Sequence, residues 1–152
     1  LKKKVFSKLK LLEIKKELKK KEIIVSPSDF GFHNIIKKDK MLYFIDFEYA
    51  GFDDPVKLLC DFICNPDYKI NKNNEKYFIK NFLKIFSTNL IKRRFELLLK
   101  FHRLKWCTML LNDLLSGTYR KRRSFVKNYD KDIDYNKKLL LAKKYYFKFF
   151  KN

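Results

Sequence analysis

From Ser26 to Asn34 the chain reads Ser-Pro-Ser-Asp-Phe-Gly-Phe-His-Asn, a run that can continue neither a helix nor a strand. Pro27 has no amide hydrogen to give, Gly31 loosens the backbone, and Ser, Asp and Asn compete for backbone bonds with their own side chains. A loop is therefore fixed early, and its flanks must be separate elements. Upstream, Val5, Leu9, Leu12, Ile14 and Leu18 recur among lysines, which predicts an amphipathic helix from Lys4 to Glu22. A short β-branched run, Ile23-Ile24-Val25, leads from it into the loop. Downstream, Ile35-Ile36, a charged turn from Lys37 to Lys40 and Met41-Leu42-Tyr43-Phe44-Ile45-Asp46 read as two short strands joined as a hairpin. The two ends of that hairpin bring Asn34 and Asp46 close together.

Helical patterns dominate the remainder. After Gly51, Asp53 or Asp54 can cap a helix whose first-turn Pro55 loses no hydrogen bond, and its apolar face runs through Val56, Leu59, Cys60 and Ile63 until Pro66 stops it. Further helices are predicted from Glu75 to Phe86, from Leu90 to Leu115 and from about Ile133 to Phe150. The long one carries two apolar stripes, Ile91, Phe95, Leu98, Trp106, Met109 and Leu97, Phe101, Leu104, Leu111, Leu115, and is expected to be the central element of a helical bundle. The expected class is α+β with most residues helical, and residues 1–152 are expected to form a single domain.

Composition narrows the classes of function. With 152 residues, 46% hydrophobic and 17% aromatic, the chain can bury one sizeable core. Lysines interrupt every apolar run well short of the ~18 to 20 residues a membrane span needs, and the basic start shows no cleavage site of a secretory leader. A soluble, cytoplasmic protein is the expectation. Cys60, Cys64 and Cys107 are too few and too irregular for a disulfide scaffold. Cys60 and Cys64 sit four apart among Leu58, Leu59, Phe62 and Ile63, where burial explains them better than a metal site shared with His33. The net charge of +20 would attract polyanions. It comes overwhelmingly from Lys spread over every segment, however, which makes solvated faces and not a specific nucleic-acid site. The one compact basic cluster, Tyr119-Arg120-Lys121-Arg122-Arg123, lies beside a helix end, where cations are favourable in any case.

Asp29, Asn34 and Asp46 stand apart from this background. Phosphoryl transfer from ATP needs a group that orients an acceptor hydroxyl and takes its proton, and oxygen ligands that hold Mg2+ against the phosphates. An Asp, an Asn five residues on, and an Asp beyond a hairpin supply those parts. Singly, each is an ordinary turn or strand-end residue. Ser28-Asp29-Phe30-Gly31-Phe32-His33-Asn34 resembles the Asp-x-x-x-x-Asn catalytic loop of the kinase-like phosphotransferases, and Ile45-Asp46-Phe47-Glu48-Tyr49-Ala50 is similar to the metal-binding segment of choline kinase-like enzymes. The helix after Gly51, with Asp53, Asp54, Pro55 and Asp61, also resembles the one that follows it in the aminoglycoside phosphotransferase and choline kinase family. The resemblance covers about Ile23 to Pro66.

It implies a mostly helical carboxy-terminal lobe of the protein kinase-like fold, using ATP and Mg2+ to phosphorylate a hydroxyl of a small molecule such as a sugar, amino alcohol or aminoglycoside. Asp29 would be the catalytic base or hydroxyl-orienting carboxylate, Asn34 and Asp46 the Mg2+ ligands, and Asp61 a brace for the catalytic loop, with an exposed helix residue nearly as good an account of Asp61. Two departures qualify it. The family's His two residues before the catalytic Asp is here Pro27, and His33 does not obviously replace it. The amino-terminal lobe that grips ATP is missing, and the chain begins without Met, so it is expected to be part of a longer protein with little nucleotide affinity alone. A non-catalytic kinase-like binding module is the alternative, and a basic nucleic-acid or membrane-surface protein the third class. The acceptor is not legible: Trp106, Tyr119, Tyr145, Tyr146 and Asp113 are its only candidate contacts, and core packing explains such aromatics as well.

Overall fold

The computed structural model describes residues 18–115 and 131–150. It contains helices and two small antiparallel sheets, an α+β arrangement in which helix predominates. The chain divides into two compact units, residues 1–102 and 103–152.

In the first unit the loop that opened the sequence is framed by two two-stranded sheets. Strand β1 (Ile24–Ser26) pairs antiparallel with β4 (Gly51–Asp53), Val25 facing Phe52. Between them, β2 (Ile35–Lys38) and β3 (Met41–Phe44) form the expected hairpin, in register Ile35 with Phe44 and Lys38 with Met41. β3 begins at Met41 as predicted and ends at Phe44, two residues short of the predicted Asp46, while β2 runs two residues further into the charged segment than predicted, so the turn is Asp39-Lys40 alone. Asp39 takes φ 54° there, the left-handed region that Asp tolerates better than most residues. Most of the predicted amphipathic helix lies outside the described residues. Its last turn differs from the prediction: Lys20–Glu22 is a 3-10 turn, closed by the Lys19 amide donating to Glu22 Oε2 at 2.9 Å.

Helix α1 (Pro55–Cys64) begins as predicted. The Asp54 side chain accepts from the Val56 amide at 2.8 Å, and Pro55 occupies the first turn. Helix α2 (Lys72–Ile85) starts three residues before its apolar pattern, because Asn71 caps it by accepting from Asn74 N at 2.8 Å. Helix α3 spans Asn89–Leu115 and α4 Lys131–Phe150. Val56, Leu59 and Cys60 of α1, Phe82 of α2, and Ile91 and Phe95 of α3 form the buried core, with Leu18, Leu58, Ile63, Phe78, Ile79, Leu83, Phe86, Leu98 and Leu99 packed around it. Three amphipathic stripes thus meet in one apolar centre, the main stabilising contribution available to a unit of this size.

The hairpin stands outside that core. Ile36, Met41, Leu42, Tyr43, Phe44 and Ile45 are all exposed.

In the second unit, Cys107 and Ala142 are buried, the Arg103 guanidinium lies 4.0 Å from the centre of the Phe149 ring, and Tyr145 packs edge-on against Phe149. Met109, assigned to a buried stripe, is 46% exposed. The first stripe therefore ends short of it, because only Ile91, Phe95 and Leu98 meet the core of helices α1 and α2. All three cysteines are buried and no disulfide joins them. No helix among the described residues is long and apolar enough to cross a membrane. The predicted basic cluster from Tyr119 to Arg123 falls outside the described residues.

Candidate active site

The alternating pattern of the loop decides which of its side chains reach solvent. Phe30 and Phe32 both settle on Phe62 of α1, with ring centroids 5.2 and 5.1 Å away. Phe30 also stacks at 6.0 Å on Phe44 of the hairpin, and Phe32 meets Tyr68 edge-on at 4.8 Å. Two aromatic anchors therefore plant the loop on the helix that follows it, a contact worth a few kcal/mol in total. The residues that flank this pair, Asp29 before it and His33 after it, are left exposed, while Gly31 between the two rings is buried.

Polar bonds complete the loop. The Ser28 amide donates to Ser26 Oγ at 3.1 Å, and Ser26 is almost fully buried. Ser28 itself sits at φ 68°. Phe32–Asn34 forms a 3-10 turn, from which Asn34 Nδ2 donates to the Asp29 carbonyl at 2.9 Å. The Ile45 amide donates to the Asn34 carbonyl at 3.0 Å, which closes the open end of the hairpin. Asn34 is thereby bonded to the residue just before Asp46, although eleven residues lie between Asn34 and Asp46 in sequence. Asp46 is exposed and, like Ser28, left-handed, at φ 65°. Besides the hairpin-turn Asp39, these two are the only non-glycine residues with positive φ among the described residues. Such conformations cost about 1 to 3 kcal/mol each and collect at functional sites.

Hydrogen bonds thus link three of the four predicted site residues in one series: Asn34 to the Asp29 carbonyl, and Asn34 to Ile45, the residue before Asp46. The fourth, Asp61, lies behind the loop and is buried, not an exposed helix residue. Lys57, one turn before it on α1, donates to Asp53 Oδ2 at 2.7 Å and lies 3.4 Å from Asp61 Oδ2 and 3.4 Å from the Ser28 carbonyl. Burial works against the Lys57 ammonium, but Asp53 and Asp61 outweigh it and hold its pKa above the ordinary lysine value. His102 of α3 contacts the second Asp61 oxygen at 3.1 Å. Asp61 therefore reaches the residue before Asp29 through a lysine. That lysine was readable in the sequence only as the middle of an i, i+4 series, Asp53, Lys57, Asp61.

Tyr68 was not singled out from the sequence either. Its hydroxyl donates to the Phe62 carbonyl at 2.7 Å. Burial, with the charge of Asp29 added, pushes the phenol pKa well above the ordinary tyrosine range, so the ring enters the site as a neutral wall.

Asp46 makes no hydrogen bond or ion pair among the described residues, and Asn34 commits only its amide nitrogen. One carboxylate and one amide oxygen on neighbouring backbone suit Mg2+, which usually takes one or two protein oxygens together with substrate phosphates. Among the suggested acceptor contacts, Trp106 has Lys105 Nζ 5.8 Å from its ring, while Tyr145 and Tyr146 pair with Phe149 and Phe150. Tyr119 and the Asp113 side chain lie outside the described residues. Compared with family models, curated proteins and solved structures, the chain matches none.

Proposed function

We propose that this chain is the catalytic lobe of an ATP- and Mg2+-dependent phosphotransferase acting on a hydroxyl of a small molecule, as its resemblance to the aminoglycoside phosphotransferase and choline kinase family suggests. The observation that carries the reading is a pair of bonds at the open end of the hairpin, the Asn34 side-chain amide on the Asp29 carbonyl and the Ile45 amide on the Asn34 carbonyl, which link Asp29, Asn34 and the residue before Asp46. In this reading the exposed Asp29 carboxylate accepts the acceptor's hydroxyl proton as the oxygen bonds to the γ-phosphorus. The bond from that phosphorus to the β,γ-bridging oxygen breaks, and its electron pair leaves with ADP. Asn34 and Asp46 would hold Mg2+, whose charge neutralises the phosphate oxygens. Lys57, itself held by Asp61, donates to the Ser28 carbonyl and so steadies the chain entering Asp29.

Ile36 and Tyr43, exposed and paired across the hairpin on one face, offer a surface on which a purine base and a nucleotide-gripping lobe would close. Cytoplasm, where ATP is plentiful, is the proposed location.

Calorimetric titration of Mg2+-ATP into the chain and into the full-length protein tests the reading, with Asp46→Ala as control. Binding by the full-length protein, abolished in the variant and accompanied by ADP release, supports it. Absence of binding in both sinks it. A second reading, a kinase-like binding module without catalysis, is favoured by Pro27 in place of the family's His. Binding that survives Asp46→Ala, with no ADP released, would establish that one instead.

A further inference from the structure

We propose that His33 is the positioning residue of the Asp29 carboxylate, a role built into the loop by Gly31; the proposal rests on the phosphotransferase reading above. His33 Nε2 lies 3.1 Å from Asp29 Oδ2, and the next residue, Asn34, donates its side-chain amide to the Asp29 carbonyl at 2.9 Å. Consecutive residues of one 3-10 turn thus hold both the carboxylate and the main chain of Asp29. With Oδ2 engaged by an imidazole N–H, Oδ1 is the oxygen left for the acceptor hydroxyl.

Gly31 shows that this contact is provided for. Its φ of −164° is extended backbone that any residue can adopt, so conformational freedom does not account for the glycine. A Cβ at this position would lie 2.6 Å from His33 Cε1 and 2.8 Å from Nδ1. The imidazole rests directly on the Gly31 Cα, and the missing side chain is the space that lets the ring reach Asp29.

Stability is a poor account of the pair. The side chains are 44% and 65% exposed, and ion pairs or hydrogen bonds this open to water contribute little to folding. Orientation of a carboxylate is a different matter, because a misplaced general base loses much of its rate advantage. His33 stands four residues after Asp29, and the position two residues before it is Pro27, so the imidazole at this carboxylate comes from downstream.

The test is steady-state ADP release from Mg2+-ATP by the full-length protein, with ethanolamine, choline, glucose and an aminoglycoside offered in turn as acceptors. Four variants are compared: His33→Leu, His33→Gln, Gly31→Ala and the double variant Gly31→Ala/His33→Leu. His33→Leu is expected to lower kcat about 10- to 100-fold, leaving the KM for Mg2+-ATP and the melting temperature unchanged. His33→Gln, whose amide N–H has a similar reach, should recover most of the loss. Gly31→Ala displaces only the end of a flexible side chain, so it should fold and reproduce the loss, and the double variant should be no worse than either single one. Full kcat in His33→Leu, additive losses in the double variant, or failure of Gln to rescue would each overturn the proposal. A wild-type protein that neither binds Mg2+-ATP nor releases ADP overturns the parent reading, and this one with it; an active wild type with indifferent His33 variants removes this one alone.

Discussion

Asp61 is held from both sides: His102 Nδ1 lies 3.1 Å from Oδ1, and Lys57 Nζ lies 3.4 Å from Oδ2. The buried carboxylate joins α1 to α3 and, through Lys57, to the loop at Ser28. Asp61→Ala should therefore destabilise the protein by about 3 kcal/mol, the usual cost of removing one partner from a buried charged network. Urea denaturation reads this directly. A loss under about 1 kcal/mol would show that the carboxylate is redundant.

Asp54 makes three bonds with one carboxylate. Oδ1 accepts from the Val56 amide at 2.8 Å, and Oδ2 accepts from Arg94 Nε at 3.1 Å and from Arg94 Nη2 at 2.5 Å. Asp54→Asn should keep the cap and weaken the ion pair, while Asp54→Ala loses both and costs about 1 to 2 kcal/mol more. Equal stabilities of the two variants by urea denaturation would contradict the division of labour.

Ser28 holds φ 68° without glycine's freedom. Replacing it by Gly should leave stability unchanged or raise it by up to about 1 kcal/mol, where the same change at an ordinary extended position costs a similar amount. Thermal melts of Ser28→Gly and Ser28→Ala give the comparison, and an Ala variant as stable as Gly would mean that little strain is stored there.

Alkaline pH should weaken the fold through two groups of the same sign. Burial, helped by the Asp29 charge, raises the Tyr68 pKa above its ordinary 10.0, and the Asp53 and Asp61 charges, overcoming burial, raise that of Lys57 above 10.5. Each group keeps its proton more tightly in the folded state, so its contribution is complete below about pH 10 and fades as pH rises through the folded pKa. Tyr68→Phe should cost about 1 kcal/mol at neutral pH, because the Phe62 carbonyl loses its donor, and should make the alkaline decline shallower. Urea midpoints between pH 8 and 11 decide it; an unchanged slope would assign the decline elsewhere.

The parts of the site that were legible in the sequence are those fixed by local chemistry. The hairpin could be read because apolar pairs flank a charged turn, and once it is drawn Asn34 and Asp46 must be neighbours. The cap at Asp54 and the stop after Cys64 follow from Pro55 and Pro66. Strand β4 was missed because Gly51, Phe52 and Asp53 show no alternation of their own and become a strand only by pairing with Ile24, Val25 and Ser26. Lys57 looked like one lysine among many, since nothing local tells which ammonium will meet the Ser28 carbonyl. His33 was set aside for standing in the wrong place relative to Asp29; the bare Gly31 Cα that lets its ring fold back is visible only in three dimensions.

Helices α1, α2 and α3 share a packed centre, but the hairpin that holds Asn34 next to Asp46 has exposed side chains along nearly its whole length. Isolated two-stranded hairpins are marginal in water. Backbone amides of residues 35–45 should therefore exchange with solvent far faster than those of α1, through local openings that leave the helices intact. A ligand or partner that covers the hairpin would slow that exchange, and residues 35–45 are where its binding would be read first.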